Sequence, residues 1–295
     1  MLTHIAGKTY CLATPAATIG VYLIDKHNCL LIDSGEAAHG QQVLDFLNEQ
    51  GWRVSAIINT HAHADHCGAN KLIAEATGAD IYASAPEKIF LENPWLIPYT
   101  LFSAHPPRSL DNRFIVPPAS PEVEAVSPGN CVMQGVSIQF FDLSGHTPGQ
   151  IGVFTPDQVL FAGDSLLSSQ AYHTFPCPVV ADVKSQLTAL ETLAESRYDH
   201  LCISHGGWVD QPLAVIEQNR EWLLGLINDV LGALQGQAMN REQLVSCIIE
   251  KRKLTVNTVQ FYLAWSSVSA VISYLLDNRS IKTHFHPAGI TYTAR

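Results

Sequence analysis

Thr60-His61-Ala62-His63-Ala64-Asp65-His66 places three imidazoles and a carboxylate within one short stretch. The stretch follows directly on the apolar run Val54–Ile58, which reads as a strand and ends at Asn59-Thr60. A loop at the end of a buried strand can aim several side chains into one cavity. Imidazole and carboxylate together suit zinc, with iron or manganese as alternatives. In an extended segment, alternation sets His61, His63 and Asp65 on one side. A turn at Asp65-His66 would redirect that pair toward a second ion.

Three later segments offer what this motif lacks. Ser144-Gly145-His146-Thr147-Pro148-Gly149 presents a histidine in a tight turn after a strand. Phe161-Ala162-Gly163-Asp164-Ser165 presents a carboxylate at a strand end, and Leu201-Cys202-Ile203-Ser204-His205-Gly206 does the same with a histidine. Each polar residue has a glycine nearby, which permits unusual dihedrals and close backbone approach. Any one of these alone would be weak, since a single histidine caps or packs more often than it ligates. Asp33-Ser34-Gly35 forms a further polar turn after the apolar run Cys29–Ile32.

Around these motifs the chain alternates strand and helix. Ile19–Ile24, Cys29–Ile32, Val54–Ile58 and Asp80–Ala83 read as strands, and 41–50 and 71–76 as helices. Strand signals resume at 136–143, 151–154, 159–162 and 201–204, and a long helical segment covers 213–234. Such alternation indicates sheets covered by helices. Between Pro86 and Pro128, nine prolines fall in 43 positions, together with Trp95, Tyr99, Phe102 and Phe114. Proline at that density excludes long regular elements, while the aromatics argue for order, so 86–128 is expected to be a loop-rich insertion lying over the body, with Trp95 and Phe102 walling a cleft. Gln235-Gly236 marks a boundary. Beyond it, 241–250, 255–265 and 267–276 read as three short helices before a two-strand segment turning at Pro287-Ala288-Gly289, the outline of a winged helix. The expected units are 1–234 and 235–295.

At this point the chain resembles the metallo-β-lactamase-fold hydrolases, over about Ile19 to Gly206, and in outline their glyoxalase II-like branch with a C-terminal extension. The resemblance implies a four-layer αββα sandwich, an α/β fold, with metals in a cleft at one sheet edge. It implies that His61, His63 and His146 hold one divalent ion, that Asp65, His66 and His205 hold a second, and that Asp164 bridges them. Two cations lower the pKa of a water between them enough to give a hydroxide near neutral pH. Asp65 then serves as ligand and orienter. Asp33 lies close enough to fix the tautomer of a ligating histidine. His173 and Tyr172, which follow Asp164 closely, are candidates for substrate contact or leaving-group protonation.

The function this implies is hydrolysis of a small-molecule ester, thioester or related acyl substrate. The alternatives are a phosphodiesterase or ribonuclease, and a ligand sensor with a DNA-binding C-terminal part. In glyoxalase II-like enzymes basic residues of the C-terminal part hold substrate carboxylates, a role Lys251–Lys253 would fill by folding back over the cleft. Lactonases of the family often carry a tyrosine three positions after the bridging aspartate, where this chain has Leu167. Asn219-Arg220-Glu221 departs from the histidine-arginine pair common in the glyoxalase II-like branch. Ser165 lacks a G-x-S-x-G setting, Cys67 reads as buried packing, and no G-x-G-x-x-G or Walker pattern supports a nucleotide cofactor.

Composition narrows the classes. Hydrophobic residues make up 47% and charged residues 15% of 295, which supports a sizeable core. The net charge is -10. Seven basic against three acidic residues from 235 to 295 leave +4 there and so -14 on the remainder. An acidic body disfavours nucleic acid as a partner, and the basic tail keeps that role only faintly alive. Seven cysteines without CxxC spacing fit a reducing, cytoplasmic setting. Met1–Ala17 lacks the basic region and apolar run of an export signal, and no uninterrupted apolar run approaches a membrane span. A dimer contact or a cleft cap is the expected use of the C-terminal extension.

Overall fold

A computed structural model describes all 295 residues, Met1–Arg295. The first sheet runs in sequence order through seven strands. These are β1 (Leu2–Ala6), β2 (Thr9–Ala13), β3 (Thr18–Leu23), β4 (Asn28–Ile32), β5 (Arg53–Ile58), β6 (Asp80–Ser84) and β7 (Val123–Val126). The first four are joined antiparallel, and β4 to β7 are parallel, with helices α1 (Gly40–Glu49), α2 (Ala64–Cys67), α3 (Asn70–Thr77), α4 (Ala85–Glu92) and α5 (Leu96–Phe102) in the connections. The second sheet holds β8 (Gly129–Met133), β9 (Val136–Asp142), β10 (Ile151–Phe154), β11 (Val159–Phe161), β12 (His200–Ile203) and β13 (Gly207–Val209), adjacent in that order. Helices α6 (Ser169–Thr174) and α7 (Val183–Glu195) join β11 to β12, and α8 (Pro212–Ala233) follows β13. The chain ends with α9 (Arg241–Arg252), α10 (Thr258–Asp277) and the hairpin β14 (Ile281–His286) and β15 (Gly289–Ala294).

Strand period generates the layers. Side chains on a strand alternate between faces, so Cys29 and Leu31 of β4 enter one core while Leu30 and Ile32 enter another. The first core lies between sheet one and its helices, where Val43, Leu44 and Leu47 give α1 its buried face. The second lies between the sheets and joins Ala56 and Ile58 to Ile138, Phe140, Val153 and Phe161. The third sets Leu160, Leu201 and Ile203 against Ala189, Leu190 and Leu193 of α7. Three cores between four layers make the expected αββα sandwich. Each fully buried Leu or Ile contributes roughly 1.5–3 kcal/mol to it. Gly20 permits a close sheet-to-sheet approach: a Cβ there would lie 2.6 Å from the Phe161 ring.

Several expectations change. The segment 86–128 is not a single loop-rich insertion, because α4 and β7 belong to the sandwich and β7 pairs parallel with β6. Pro86 sits in the first turn of α4, where its missing N–H costs nothing, so proline there starts a helix instead of breaking one. The loop-rich part is 103–122. The stretches 255–265 and 267–276 are one helix, α10; the Ser267 hydroxyl donates to the Leu263 carbonyl within it, and no break occurs. The terminal part therefore has two helices of its own and a hairpin, not three. Its core takes in Leu223, Leu226, Val230 and Leu234 from the end of α8 and also Val180 and Val183, so packing is continuous across residue 235. By length and composition alone, α10 is apolar enough to cross a membrane, although Gln260, Ser266, Ser267 and Ser269 interrupt its apolar run as expected; one of its faces, including Val268, Val271 and Leu275, packs into this core.

Candidate metal centre

Every sequence-selected ligand stands just beyond a strand, in the following turn or, for Asp65 and His66, on the short helix α2. β4 ends at Asp33, β5 at the His61–His66 stretch, β9 before the His146 turn, β11 at Asp164 and β12 at His205. The His146 turn is held by Gly145, whose φ is +142°. A Cβ there would lie 2.4 Å from the Gln186 backbone of α7, so no other residue fits without displacing the helix. The seven side chains fall into two groups, His61, His63, His146 and Asp164, and Asp65, His66 and His205, each with donor atoms within 4.8 Å of one another.

The first group is a set of facing lone pairs. His61 Nε2 and His146 Nε2 both lie 3.0 Å from His63 Nδ1. His146 Nδ1 donates to the Val179 carbonyl at 2.8 Å, which leaves Nε2 bare. The Thr60 hydroxyl spends its hydrogen on Asp33 Oδ2 and so accepts from His61 Nδ1, which bares that Nε2 as well. His63 Nδ1 carries at most one hydrogen and can serve only one of these two bare acceptors, so at least one contact sets lone pair against lone pair and the three rings are not a fully hydrogen-bonded cluster. Burial, aided by the neighbouring histidines, pushes the His61 imidazole well below its ordinary range and the His63 imidazole down to about 3. Protons therefore do not neutralise the repulsion at neutral pH. A divalent cation would: nitrogens around a tetrahedral zinc are about 3.3 Å apart for bonds of about 2.0 Å.

The second group is electrostatically opposite. His66 Nε2 lies 3.3 Å from Asp164 Oδ1 and 3.7 Å from Asp65 Oδ2, and His205 Nε2 lies 3.2 Å from Asp164 Oδ2 and 3.3 Å from Asp65 Oδ2. Asp164 Oδ2 is also 3.7 Å from His146 Nε2, so its carboxylate stands between the two groups. His66 Nδ1 donates to Asp33 Oδ2 at 2.8 Å, which turns Nε2 inward. His66 Nε2 and Asp164 Oδ1 are fully buried with no hydrogen-bond partner. Leaving such atoms unpaired is costly, and a cation satisfies both. Donor chemistry, spacing and orphaned atoms together fit two divalent ions.

These surroundings set a proton balance. The Asp164 charge raises the His205 imidazole to about 10 against the opposing effect of burial. Burial also opposes the proton on His66, but Asp164, Asp65 and Asp33 outweigh it and hold that imidazole well above its ordinary range. Burial works against the Asp65 charge too, yet His66 and His205 bring that carboxyl down to about 2. A ligating imidazole must be neutral. Metal binding at pH 7 is therefore expected to release close to two protons, read by calorimetry in buffers of different ionisation heat; no release would contradict this arrangement. In the metal-free chain, a raised His205 stabilises the fold fully below pH ~6.5, and that contribution is lost as pH rises through about 10.

Several supports were not legible as such. Glu87 is 1% exposed, and its carboxylate accepts from Ala62 N, Thr147 Oγ1 and Gly149 N at 2.8–2.9 Å. It ties the His61–His66 loop to the His146 turn. Its signal was Ser84-x-x-Glu87, a capping signature; Ser84 does cap α4, but Glu87 reaches across to the loops instead of back to the cap. Asn219, the position that departs from the branch pattern, pairs with both the N–H and the C=O of Leu167 at 2.9 Å. It thereby fixes the segment after Asp164.

Tyr172 and His173 do not join the site. The Tyr172 hydroxyl meets Arg252 Nη1 at 2.7 Å and its ring stacks on Trp222 with centroids 3.8 Å apart, while His173 is exposed and outside the cleft lining. A single turn of α6 carries both away from Asp164. Arg252 also pairs with Asp229 and the Pro176 carbonyl, and Lys251 pairs with Asp229, so these cations brace α6, α8 and α9 and do not face the cleft. The cleft itself encloses about 1080 Å³ over the two groups. The 86–128 segment does wall it, through Ile97, Leu101, Arg113, Phe114 and Ile115. Trp95 is instead 54% exposed, and Phe102 packs on Tyr262 of α10.

A profile of the Metallo-beta-lactamase superfamily matches residues 19–205, which contain all seven ligand candidates. The chain belongs to the metallo-β-lactamase superfamily. Among its relatives, a hydroxyacylglutathione hydrolase from Fuscovulum blasticum is 34% identical over 178 residues, 58% of this chain and 57% of that protein. A probable metallo-hydrolase, YflN, from Bacillus subtilis is 26% identical over 62% of this chain and 76% of its own. The chain spans about half the length of the hydroxyacylglutathione hydrolases it matches. These relatives support the glyoxalase II-like branch. A metallo-beta-lactamase family protein from Thermus thermophilus shares the fold at TM-score 0.76 and 19% identity, over 98% of this chain and 99% of its own. A Beta-lactamase domain protein from Burkholderia ambifaria does so at TM-score 0.77 and 17% identity, over 100% of this chain and 93% of its own. Both likenesses extend through the C-terminal helices.

Proposed function

We propose that this superfamily member is a dinuclear metal-dependent hydrolase of small-molecule thioesters or esters. The observation that carries the reading is the pairing of three facing histidine lone pairs with an Asp-His-His group across one shared carboxylate, Asp164, inside a large cleft. His61, His63 and His146 would hold one divalent ion and Asp65, His66 and His205 the other, with Asp164 shared; zinc suits the donors, and iron or manganese are alternatives. When bound, two such ions would supply the Lewis acidity that lowers the pKa of a water between them and polarises an acyl carbonyl.

The chain supplies the rest. Asp65, ionised at neutral pH and partly exposed to the cleft, accepts a hydrogen bond from the attacking water and orients it. Asp33 and Thr60 lock the His66 and His61 tautomers. Glu87 keeps the two loops in register, so that the reacting geometry exists before substrate arrives. The walls from α5, the 113–115 loop and α10 exclude bulk water from the acyl group. The acyl reading is favoured over phosphodiester cleavage by the hydroxyacylglutathione hydrolase relatives and by the use of Lys251 and Arg252 in internal ion pairs. A cytoplasmic setting accords with seven free cysteines, five of them buried.

Turnover of a thioester, a lactone and bis-p-nitrophenyl phosphate should be compared before and after chelation and after zinc is restored. Thioester or ester turnover is expected to lead, to fall by about 10³-fold or more on chelation and to return with the metal. Turnover indifferent to chelation would refute the mechanism, and a dominant phosphodiesterase rate would replace the acyl reading.

A further inference from the structure

The cleft has a second polar feature, far simpler than the first. Among all its lining residues Arg113 is the only arginine or lysine. The acidic lining groups are otherwise committed. Asp65 and Asp164 belong to the metal groups, Glu87 is spent on three donors of the loops, and Glu36 lies 3.7 Å from His39. Arg113 makes no ion pair, and its guanidinium forms no hydrogen bond with the protein. Arg252 shows the contrast, its guanidinium filled by Asp229, Tyr172 and Pro176. An unpaired guanidinium presents five donors in a plane that matches a carboxylate. The same cleft wall carries the apolar side chains of Phe90, Ile97, Leu101, Phe114, Ile115 and, from α10, Leu263.

We propose that Arg113 forms an anion-anchoring subsite, and that the substrate is an acyl compound with an apolar body and a carboxylate remote from the bond that is cleaved. This deepens the hydrolase reading and rests on it for the cleavage step. The acyl carbonyl goes to the His and Asp groups, the apolar body lies along the α5, 114–115 and α10 wall, and the remote carboxylate pairs with Arg113. Arg113 is exposed and is the only lysine or arginine of the cleft wall, so in a body carrying -14 outside its last 61 residues it sets the direction of a bound anion away from the metal groups.

The test uses metal-reconstituted full-length protein and three p-nitrophenyl esters of matched length: the suberate half-ester (anionic), the octanoate (neutral) and the 8-aminooctanoate (cationic). Wild type is expected to prefer the anionic over the neutral ester about tenfold in kcat/KM. R113A should abolish that preference, raising KM on the anionic ester about tenfold more than KM on octanoate. R113E should turn the preference toward the cationic ester, which a merely structural role of Arg113 would not do. Equal losses on all three esters, or a preference that survives R113A, would overturn the subsite. Calorimetric binding of 8-phenoxyoctanoate against 8-phenoxyoctanol to the same variants separates the two readings. If no ester is turned over, the hydrolase reading fails, yet an Arg113-dependent preference for the carboxylate upholds the subsite. If no such preference is seen, the subsite fails whatever the enzyme cleaves.

Discussion

Asp164→Ala is expected to reduce the bound metal from two ions per chain to at most one and to lower turnover by about 10³-fold or more. One oxygen of this carboxylate faces His66, and the other faces His205 and His146, so its removal opens both groups at once. No neighbour can substitute. Asp65 reaches only His66 and His205, and Asp33 is spent on Thr60 and His66. The proton balance should change with it. Asp164 is the main cause of the raised His205 imidazole, so in the metal-free variant that group should titrate nearer its ordinary range, visible by NMR. Metal content by mass spectrometry checks the first effect, and full occupancy by two ions in the variant would contradict it.

Asp33→Asn is expected to weaken metal affinity about 10- to 100-fold while leaving the fold intact. Asp33 has φ 62°, a left-handed conformation that asparagine tolerates and alanine resists, so the asparagine isolates the loss of charge from backbone strain. Its carboxylate receives Thr60 N, Thr60 Oγ1 and His66 Nδ1, all at 2.8 Å. One amide oxygen can accept only part of that set, and the amide nitrogen meets donors head-on. His66 then loses the hydrogen bond that turns Nε2 inward, and Thr60 loses the one that orders its contact with His61. Competition with a chromophoric chelator measures the affinity. An unchanged value would mean that Asp33 is only a turn residue.

Asp33, like the seven ligand candidates, was legible because a strand end followed by polar residues and glycine is a local pattern. So were the strands β3 to β6 and β10 to β12, whose apolar runs are largely buried on both faces, and β9, where buried Val136, Ile138 and Phe140 alternate with more open positions. The edge strand β1 passed unread because Leu2–Ala6 is only half-buried and shows no alternating apolar face, and the interior strand β2 because its buried positions include the polar Thr9. Helix α7 was hidden by small and polar residues at buried positions, Ala189 and Gln186, although its Asp182 cap was in plain view. Glu87 and Arg113 depend on which loops meet across the cleft, a long-range fact with no local signature. Tyr172 and His173 failed for the opposite reason: nearness in sequence to Asp164 does not survive one helical turn.

Where metal sits in the reconstituted protein tests the proposed two-ion centre most directly. Anomalous diffraction at the zinc edge from zinc-loaded crystals is expected to show two peaks per chain. One should lie about 2.0–2.2 Å from donor atoms of His61, His63 and His146, the other at that distance from Asp65, His66 and His205, with Asp164 reaching both. Zinc bound elsewhere with these seven side chains left bare, or no zinc at all after reconstitution, would contradict it.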